Sequence, residues 1–302
     1  MFALSVSWHA LQHSRAKDII KEIKDLGFKH VEFSFNLTSE IVEEMIKLKE
    51  QGLINVVSVH NFCPIPKGIS RKKALPDIFS LSALDEQERR EAIRYTKKTV
   101  DTAYRIGAKV VVFHGGKVYG KERIRTLAQV YNSGNRQRYN QLKTQMLKER
   151  NAKSKQFFSQ ILKSLEQLCA YAQKRKVKLG IENRYYFCEI PSLEEMETIL
   201  ASFPGPPLYY WHDVGHAQLY ENLGLLKHKD MLDKFSRRMV GIHLHDIDGI
   251  NDHLAPLKGK FDFTLLKAYV KNKTLKVLEP HYPATAEEII RGKKYLEKIL
   301  GS

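Results

Sequence analysis

The sequence predicts an α/β protein that folds as a single (β/α)8 TIM barrel with a long basic insertion after strand 4. Short runs of β-branched and aromatic residues alternate eight times with longer segments of helical period. Polar residues end most of these strand candidates, and no glycine-rich phosphate loop follows the first one, which disfavours a doubly wound sheet. The chain of 302 residues shows no linker, so we expect one domain over residues 1–302.

The strand candidates recur along the whole chain. They are Phe2 to Ser7, His30 to Phe35, Val56 to His60, Lys109 to His114, Lys178 to Asn183, Leu208 to Asp213, Val240 to His245 and Leu275 to Glu279. A helical segment follows each strand; the first has apolar residues at helical spacing from Ile19 to Leu26 and ends at Gly27. Consecutive parallel strands need such crossovers, and eight of them can close into a barrel.

Two connections are longer than a barrel requires. One runs roughly from Asn61 to Ala83 and contains three prolines, and the other runs from Gly115 to about Asn151. Loops of this length in a compact domain are usually functional or disordered. Because both follow strands, we expect both to lie over the C-terminal face of the barrel, where active sites form.

Composition narrows the class of protein and its compartment. The chain is 43% hydrophobic and 28% charged, which excludes a disordered or fibrous protein. No run approaches the roughly 18 consecutive apolar residues of a membrane span, so we expect no membrane partner. Cys63, Cys169 and Cys188 are odd in number and widely spaced. We therefore expect no disulfide framework and a cytoplasmic location.

The net charge of +16 is concentrated in one region. Between Lys117 and Lys178 there are sixteen lysines and arginines against three acidic residues. This stretch is either a solvated helical hairpin or an electrostatic collar that recruits an anionic substrate, such as a sugar phosphate or a nucleic acid. In the second case Arg123 and Arg125 are candidates for substrate binding. The sequence does not indicate an oligomeric state.

Six strand candidates end in side chains that commonly bind metals. They are His60, His114, Glu182, Asp213, His243 and Glu279. A barrel brings these strand ends together at one face. Imidazole nitrogens and carboxylate oxygens suit zinc, manganese or iron better than calcium. The pattern therefore predicts a site for a divalent metal.

These motifs together resemble the xylose-isomerase-like TIM-barrel superfamily, which includes sugar isomerases and epimerases and the endonuclease IV type of DNA-repair enzyme. The motifs are VH, FHGG, IEN, DVGH, HLHD, DHLAPLKGKFDF and LEP, and they span the whole chain. The resemblance implies a central metal site like that of the ketose epimerases, formed by Glu182, Asp213, His243 and Glu279. It also implies that Glu182 and Glu279 are the catalytic acid/base pair.

The endonuclease IV branch implies up to two further metals, hence one to three ions. His60, His114 and Glu182 match one added site, and His216 and His253 match two ligands of the other. Where that branch has an aspartate two residues before the second histidine, this chain has Asn251, with Asp252 displaced by one. An amide is a poorer ligand than a carboxylate, so the departure disfavours the third metal. His216 and His253 are also candidates for substrate binding.

From the resemblance we expect a metal-dependent isomerase or epimerase that acts on a sugar or sugar phosphate by proton transfer next to a carbonyl. The alternative is an abasic-site endonuclease or another metal-dependent phosphodiesterase. Other histidines and aromatic residues near these motifs are expected to have structural roles or to contact the sugar. We expect His212 and His245 to face the helix layer, and Trp211 and the aromatic run Tyr185 to Phe187 either to stack on a sugar or to fill the core.

Overall fold

The computed structural model describes residues 1–120 and 122–301 and confirms the barrel. The strands are β1 (Phe2–Ser5), β2 (His30–Phe33), β3 (Asn55–His60), β4 (Val110–Phe113), β5 (Lys178–Glu182), β6 (Leu208–Asp213), β7 (Met239–Leu244) and β8 (Leu275–Leu278). All neighbouring strands are parallel, and β1 closes the barrel by pairing with β8. Each strand begins and ends within two residues of its sequence candidate.

Helices surround the barrel. They are α1 (Ala16–Asp25), α2 (Ser39–Glu50), α3 (Glu86–Ile106), α4 (Ile124–Asn132), α5 (Arg136–Arg175), α6 (Leu193–Ser202), α7 (Val214–Asn222), α8 (His228–Phe235) and α9 (Ala286–Leu300). A 3₁₀ segment, Phe263–Ala268, takes the place of a helix between β7 and β8. Among the described residues, no helix combines the length and apolarity needed to span a membrane.

Two small antiparallel strand pairs lie in the loops that follow the barrel strands. Gly116–Lys117 pairs with Glu189–Ile190, and Asp246–Asp248 pairs with Asn251–Leu254. The first pair joins the loop after β4 to the loop after β5. The second pair is a hairpin that shapes the loop after β7. These irregular segments bring additional side chains to the C-terminal end of the barrel.

Trp211 belongs to the core and does not form a wall for a sugar. Its side chain is fully buried in a small apolar cluster with valines of other barrel strands. The neighbouring strand residue must be a glycine, because a Cβ on Gly241 would lie 2.1 Å from the Trp211 ring. The ring also contacts the His243 imidazole, with the two centroids 4.9 Å apart. Trp211 therefore packs beneath the polar end of the barrel and limits where His243 can lie.

The basic insertion is a helical hairpin made by α4 and the N-terminal half of α5. Helix α5 has 40 residues, and its C-terminal half is the ordinary crossover between β4 and β5. The N-terminal half is fixed by Arg150, whose buried guanidinium donates to the carbonyls of Phe187 and Glu189 at 3.0 Å. The same group pairs with Glu195 at 2.6 Å. The insertion is thus fastened to the loop after β5, on the C-terminal side of the barrel.

A buried chain of hydrogen bonds joins β6 to α7 and α8. The Tyr210 hydroxyl lies 2.7 Å from His212 Nδ1, and His212 Nε2 lies 2.8 Å from His228 Nε2. His228 Nδ1 in turn lies 3.0 Å from the Gln218 side-chain oxygen. Burial lowers the pKa of His212 to about 3 and that of His228 well below its ordinary value. Both imidazoles are therefore neutral in the folded protein near neutral pH, and His212 lies in the helix layer as expected.

The buried hydrogen bonds of His212 and His228 predict that the barrel loses stability in mild acid. The folded protein excludes protons that the unfolded histidines bind below about pH 6.5, so the contribution is complete above that pH and declines toward pH 3. For each histidine, the free energy of unfolding should fall by about 1.4 kcal/mol for every pH unit that the pH decreases within this window. Urea unfolding of the wild type and His228→Gln between pH 7 and 5 measures it. The variant should show the shallower pH dependence; equal slopes would contradict the assignment.

Candidate metal centre and active site

Four buried side chains converge at the C-terminal end of β5 to β8. The Nδ1 atom of His243 lies 2.6 Å from Glu182 Oε1, 2.9 Å from Glu279 Oε2 and 3.7 Å from Asp213 Oδ2. One ligand atom from each of the four residues lies within 4.8 Å of all the others. The structure thus brings together the four residues that the sequence analysis predicted as the central site.

Strand register produces this convergence. Asp213 and His243 are direct partners across β6 and β7, and Glu182 lies one strand away on β5, opposite Trp211. Glu279 follows β8, where its backbone N–H donates to the Leu244 carbonyl. Because alternate residues of a strand face the barrel interior, each side chain needs only the correct parity to point inward.

The donor set fits a divalent cation. Three carboxylates crowd one imidazole nitrogen, and all four side chains are buried. Buried carboxylates at this spacing repel one another unless positive charge compensates them. Burial opposes ionisation of Glu279, but His243 outweighs it and lowers the Glu279 pKa to about 2. Oxygen and imidazole donors suit manganese, iron or zinc.

Glu32 is a site residue that the sequence analysis missed. Its Oε1 atom lies 3.0 Å from His243 Nε2, and the Ser58 hydroxyl donates to its Oε2 at 2.7 Å. A carboxylate on the outer nitrogen fixes the proton there and leaves Nδ1 free as a ligand. The signal available in the sequence was a single glutamate between the apolar residues Val31 and Phe33 of β2.

The expectation for His245 was wrong. His245 lies two residues after His243 and therefore shares its side of the strand, so it does not face the helix layer. Its Nε2 atom contacts Asp213 Oδ2 at 2.9 Å. Asp213 also caps α7, because its Oδ1 accepts from the His216 backbone N–H at 2.8 Å. Both contacts hold the Asp213 carboxylate in one orientation.

A second cluster surrounds the outer oxygen of Glu182. His114 Nε2 lies 2.9 Å and His60 Nε2 3.7 Å from Glu182 Oε2. Asp77, from the long connection after β3, lies 2.7 Å from His114 Nδ1. Burial and Arg184 oppose protonation of His114, but Asp77 and Glu182 outweigh them and raise its pKa to about 9. His60, His114 and Glu182 are thus brought together as predicted, with Asp77 and Arg184 as additional members.

A third cluster contains His216, His253 and Asp252. The Asp252 Oδ2 atom lies 3.7 Å from His216 Nε2 and 3.0 Å from His253 Nδ1. The departure at Asn251 therefore does not remove a carboxylate from this position, because Asp252 supplies one. His253 adopts a left-handed backbone with φ of 54° within the strand Asn251–Leu254 of the hairpin. Spacing along the sequence could not reveal that local geometry.

A pocket of about 390 Å³ opens onto these clusters. His60, His114, Glu182, His216, His253 and Glu279 line it, together with Leu75, Arg125, Tyr185, Tyr186 and His281. Arg125, on α4, is exposed and is the insertion's contribution to this lining. Arg123 does not line the pocket: its guanidinium contacts Glu149 at 3.2 Å and lines a separate cavity of about 590 Å³.

Glu32 generates a prediction about metal affinity. Glu32→Ala should weaken Mn²⁺ binding about 10- to 100-fold, because His243 loses the partner that orients it. Glu32→Gln should recover part of the affinity, because the amide oxygen can still accept from Nε2. Isothermal titration of the three proteins with Mn²⁺ provides the measurement. Equal affinities in Glu32→Ala and the wild type would show that Glu32 does not position the ligand.

Asp213→Asn shows the loss of Mn²⁺ binding that is expected when a direct metal ligand is changed, for comparison with the Glu32 variants. The amide oxygen can still cap α7, so the fold should survive while the charged ligand is lost. We expect this variant to retain no Mn²⁺ through gel filtration.

Comparison with known proteins agrees with this architecture. A D-tagatose 3-epimerase-like protein superposes with a TM-score of 0.70 at 15% identity, covering 99% of this chain and 96% of that one. The 3-keto-D-glucoside 4-epimerase from E. coli gives 0.68 at 13% identity, with 98% of each chain covered. D-allulose 3-epimerase from Methylomonas sp. gives 0.68 at 13% identity, covering 99% of this chain and 97% of that one.

At these identities the superpositions show the fold alone. No curated protein sequence matches the chain. The family model of the xylose isomerase-like TIM barrel matches residues 20–299, which is most of the chain. The chain therefore belongs to the xylose isomerase-like TIM barrel family.

Proposed function

We propose that this protein is a metal-dependent isomerase or epimerase that moves a proton next to the carbonyl of a sugar or sugar phosphate. One observation carries the proposal: two carboxylates from different strands, Glu182 and Glu279, flank the same imidazole nitrogen at 2.6 and 2.9 Å in the floor of a pocket. A pair of carboxylates can remove a proton on one face of a carbon and return it on the other. The epimerase folds of the structural neighbours support this interpretation.

The central site would hold one divalent cation through Glu182, Asp213, His243 and Glu279. When bound, such a cation stabilises the negative charge that develops on the carbonyl oxygen during proton removal. The chain's own residues supply the remaining steps. Glu279 is the base with fewer contacts: among the described residues, its Oε1 accepts only from the Ser5 hydroxyl, at 3.4 Å, whereas Glu182 Oε2 is held by His114 and Arg184.

The remaining lining residues can bind the rest of the sugar. His216 and His253 face the pocket and can donate to hydroxyl oxygens. The exposed Tyr186 and the partly buried Tyr185 offer ring faces beside them. Arg125 has no acidic partner among the described residues, so its guanidinium is free for an anionic group such as a phosphate ester. We propose that the substrate carries such a group.

The phosphodiesterase alternative draws support from the His60–His114–Glu182 and His216–Asp252–His253 clusters, since hydrolysis of phosphodiesters uses several metals. The buried guanidinium of Arg184 at the first cluster disfavours this alternative. Incubation with an abasic-site DNA duplex tests it directly. Nicking of the duplex without any sugar exchange would replace the isomerase proposal.

Proton transfer predicts isotope exchange. With Mn²⁺ in heavy water, D-tagatose, D-allulose, L-ribulose or one of their phosphate esters should gain deuterium at the carbon next to the carbonyl. Glu279→Gln should reduce exchange at least 100-fold, because the base is lost. Glu287→Gln, an exposed glutamate on α9, is the matched control and should exchange normally. Proton NMR measures the exchange, and an active Glu279→Gln variant would contradict the assignment.

An anionic substrate predicts a selective effect of Arg125. Arg125→Gln should raise KM for the phosphorylated ketose about tenfold, equivalent to about 1.4 kcal/mol, and change kcat little, because remote charge supplies uniform binding. Arg123→Gln is the matched control, since that guanidinium contacts Glu149 outside the pocket. Steady-state kinetics with phosphorylated and free ketoses measure the difference. Unchanged KM in Arg125→Gln would remove the anionic group from the proposal.

A further inference from the structure

We propose that Arg184 takes the place of a second metal ion at the cluster of His60, His114 and Glu182, so that this cluster does not add an ion to the divalent cation of the central site. The inference rests on the proposed function, in which Glu182, Asp213, His243 and Glu279 hold that cation. It assigns Arg184 as the residue that determines metal stoichiometry. The starting point is the cluster of His60, His114 and Glu182, whose ligand atoms are close enough for an ion.

The imidazoles of this cluster are arranged as metal ligands usually are. His60 Nδ1 lies 3.0 Å from the Asn61 carbonyl, and His114 Nδ1 lies 2.7 Å from the Asp77 carboxylate. Such contacts on the outer nitrogen orient an imidazole so that the other nitrogen can bind a metal. The two rings are also close, with centroids 5.1 Å apart. Ligand geometry by itself therefore does not exclude a second ion.

Arg184 opposes the binding of a second ion at this cluster. The side chain is only 6% exposed, and its Nη1 atom lies 3.2 Å from Glu182 Oε2, the oxygen that a second ion would need. A cation bound to that oxygen at about 2.1 Å would lie no more than about 5.3 Å from Nη1. An arginine cannot lose its charge in a protein, so the repulsion between the two cations is permanent.

The guanidinium cannot easily turn away, because other carboxylates hold it. Its Nη2 atom lies 2.8 Å from Glu189 Oε1 and 3.5 Å from Asp77 Oδ2. Glu189 is itself fixed, since its Oε2 accepts from the Tyr186 backbone N–H at 2.8 Å. Arg184 thus supplies the positive charge that the buried carboxylates of Glu182 and Glu189 require, and a second metal is not needed for that purpose.

The inference predicts how many ions each variant binds. After equilibrium dialysis against Mn²⁺, the wild type should hold one ion per chain, and His114→Ala should leave that number unchanged. Arg184→Met, which keeps the unbranched apolar stem and removes the charge, should hold two. The double variant Arg184→Met/His114→Ala should return to one. Arg184→Lys, which keeps a positive charge, is the matched control and should also hold one.

Electron paramagnetic resonance separates a real second site from loose surface binding. Two Mn²⁺ ions that share Glu182 in Arg184→Met should show an exchange-coupled spectrum, which the wild type and Arg184→Lys should lack. If Arg184→Met does not fold, Arg184→Met/Glu189→Gln removes the guanidinium together with its nearest acidic partner. The same count of two and the same coupled spectrum are expected from that protein.

Three results would overturn the inference, and they differ in what else they imply. A folded charge-removed variant that still binds one ion shows that Arg184 does not set the number. If the wild type binds two ions and His114→Ala binds one, the guanidinium fails to exclude the second ion, and the proposal of the central site is unaffected. No ion in the wild type overturns the proposed function, and the inference with it.

Discussion

The concentration of buried carboxylates around the Nδ1 atom of His243 is the constraint on which the rest of the site depends. Glu182, Asp213 and Glu279 lie 2.6 to 3.7 Å from this one nitrogen, and Glu32 contacts the other nitrogen of the ring. Such an arrangement is unstable in a low-dielectric interior unless positive charge compensates it. The chain divides that task between a centre suited to a divalent cation and the cationic groups on the outer oxygen of Glu182.

The barrel provides the geometry at low conformational cost. Parallel strands in fixed register place Asp213 directly beside His243, and the ring of Trp211 packs against the imidazole from below. Gly241 leaves the space that this ring occupies. Less regular segments then contribute the finer contacts. Asp77 comes from the long connection after β3, and Asp252 comes from the hairpin after β7.

The insertion shows how one surface feature can have two parts with different roles. Arg150 fastens α5 to the loop after β5, so the hairpin has a defined position beside the pocket. Arg123 is the N-cap residue of α4 and has a non-helical backbone, whereas Arg125, two positions later, lies in the first turn of the helix. One guanidinium therefore lines the pocket while the other contacts Glu149 away from it. Composition sets the net charge of the insertion, but the local backbone decides where each guanidinium group points.

The sequence by itself predicted the barrel and the four side chains that converge at its centre. Strand ends can be predicted from the sequence because inward-facing positions alternate and because polar residues at the ends of buried strands differ from their apolar neighbours. It could not determine Glu32, Asp77 and Arg184, because a single charged residue gives no sign of the partner it will meet across the fold. The expectation for His245 misapplied the alternation, because a residue two positions after His243 shares its side of the strand. Asp252, beside the left-handed residue His253, supplies the carboxylate that Asn251, at the expected spacing, lacks. Tertiary structure decided the partners of Glu32, Asp77, Arg184 and Asp252, because contacts between distant strands and loops depend on closure of the barrel, which no local pattern encodes.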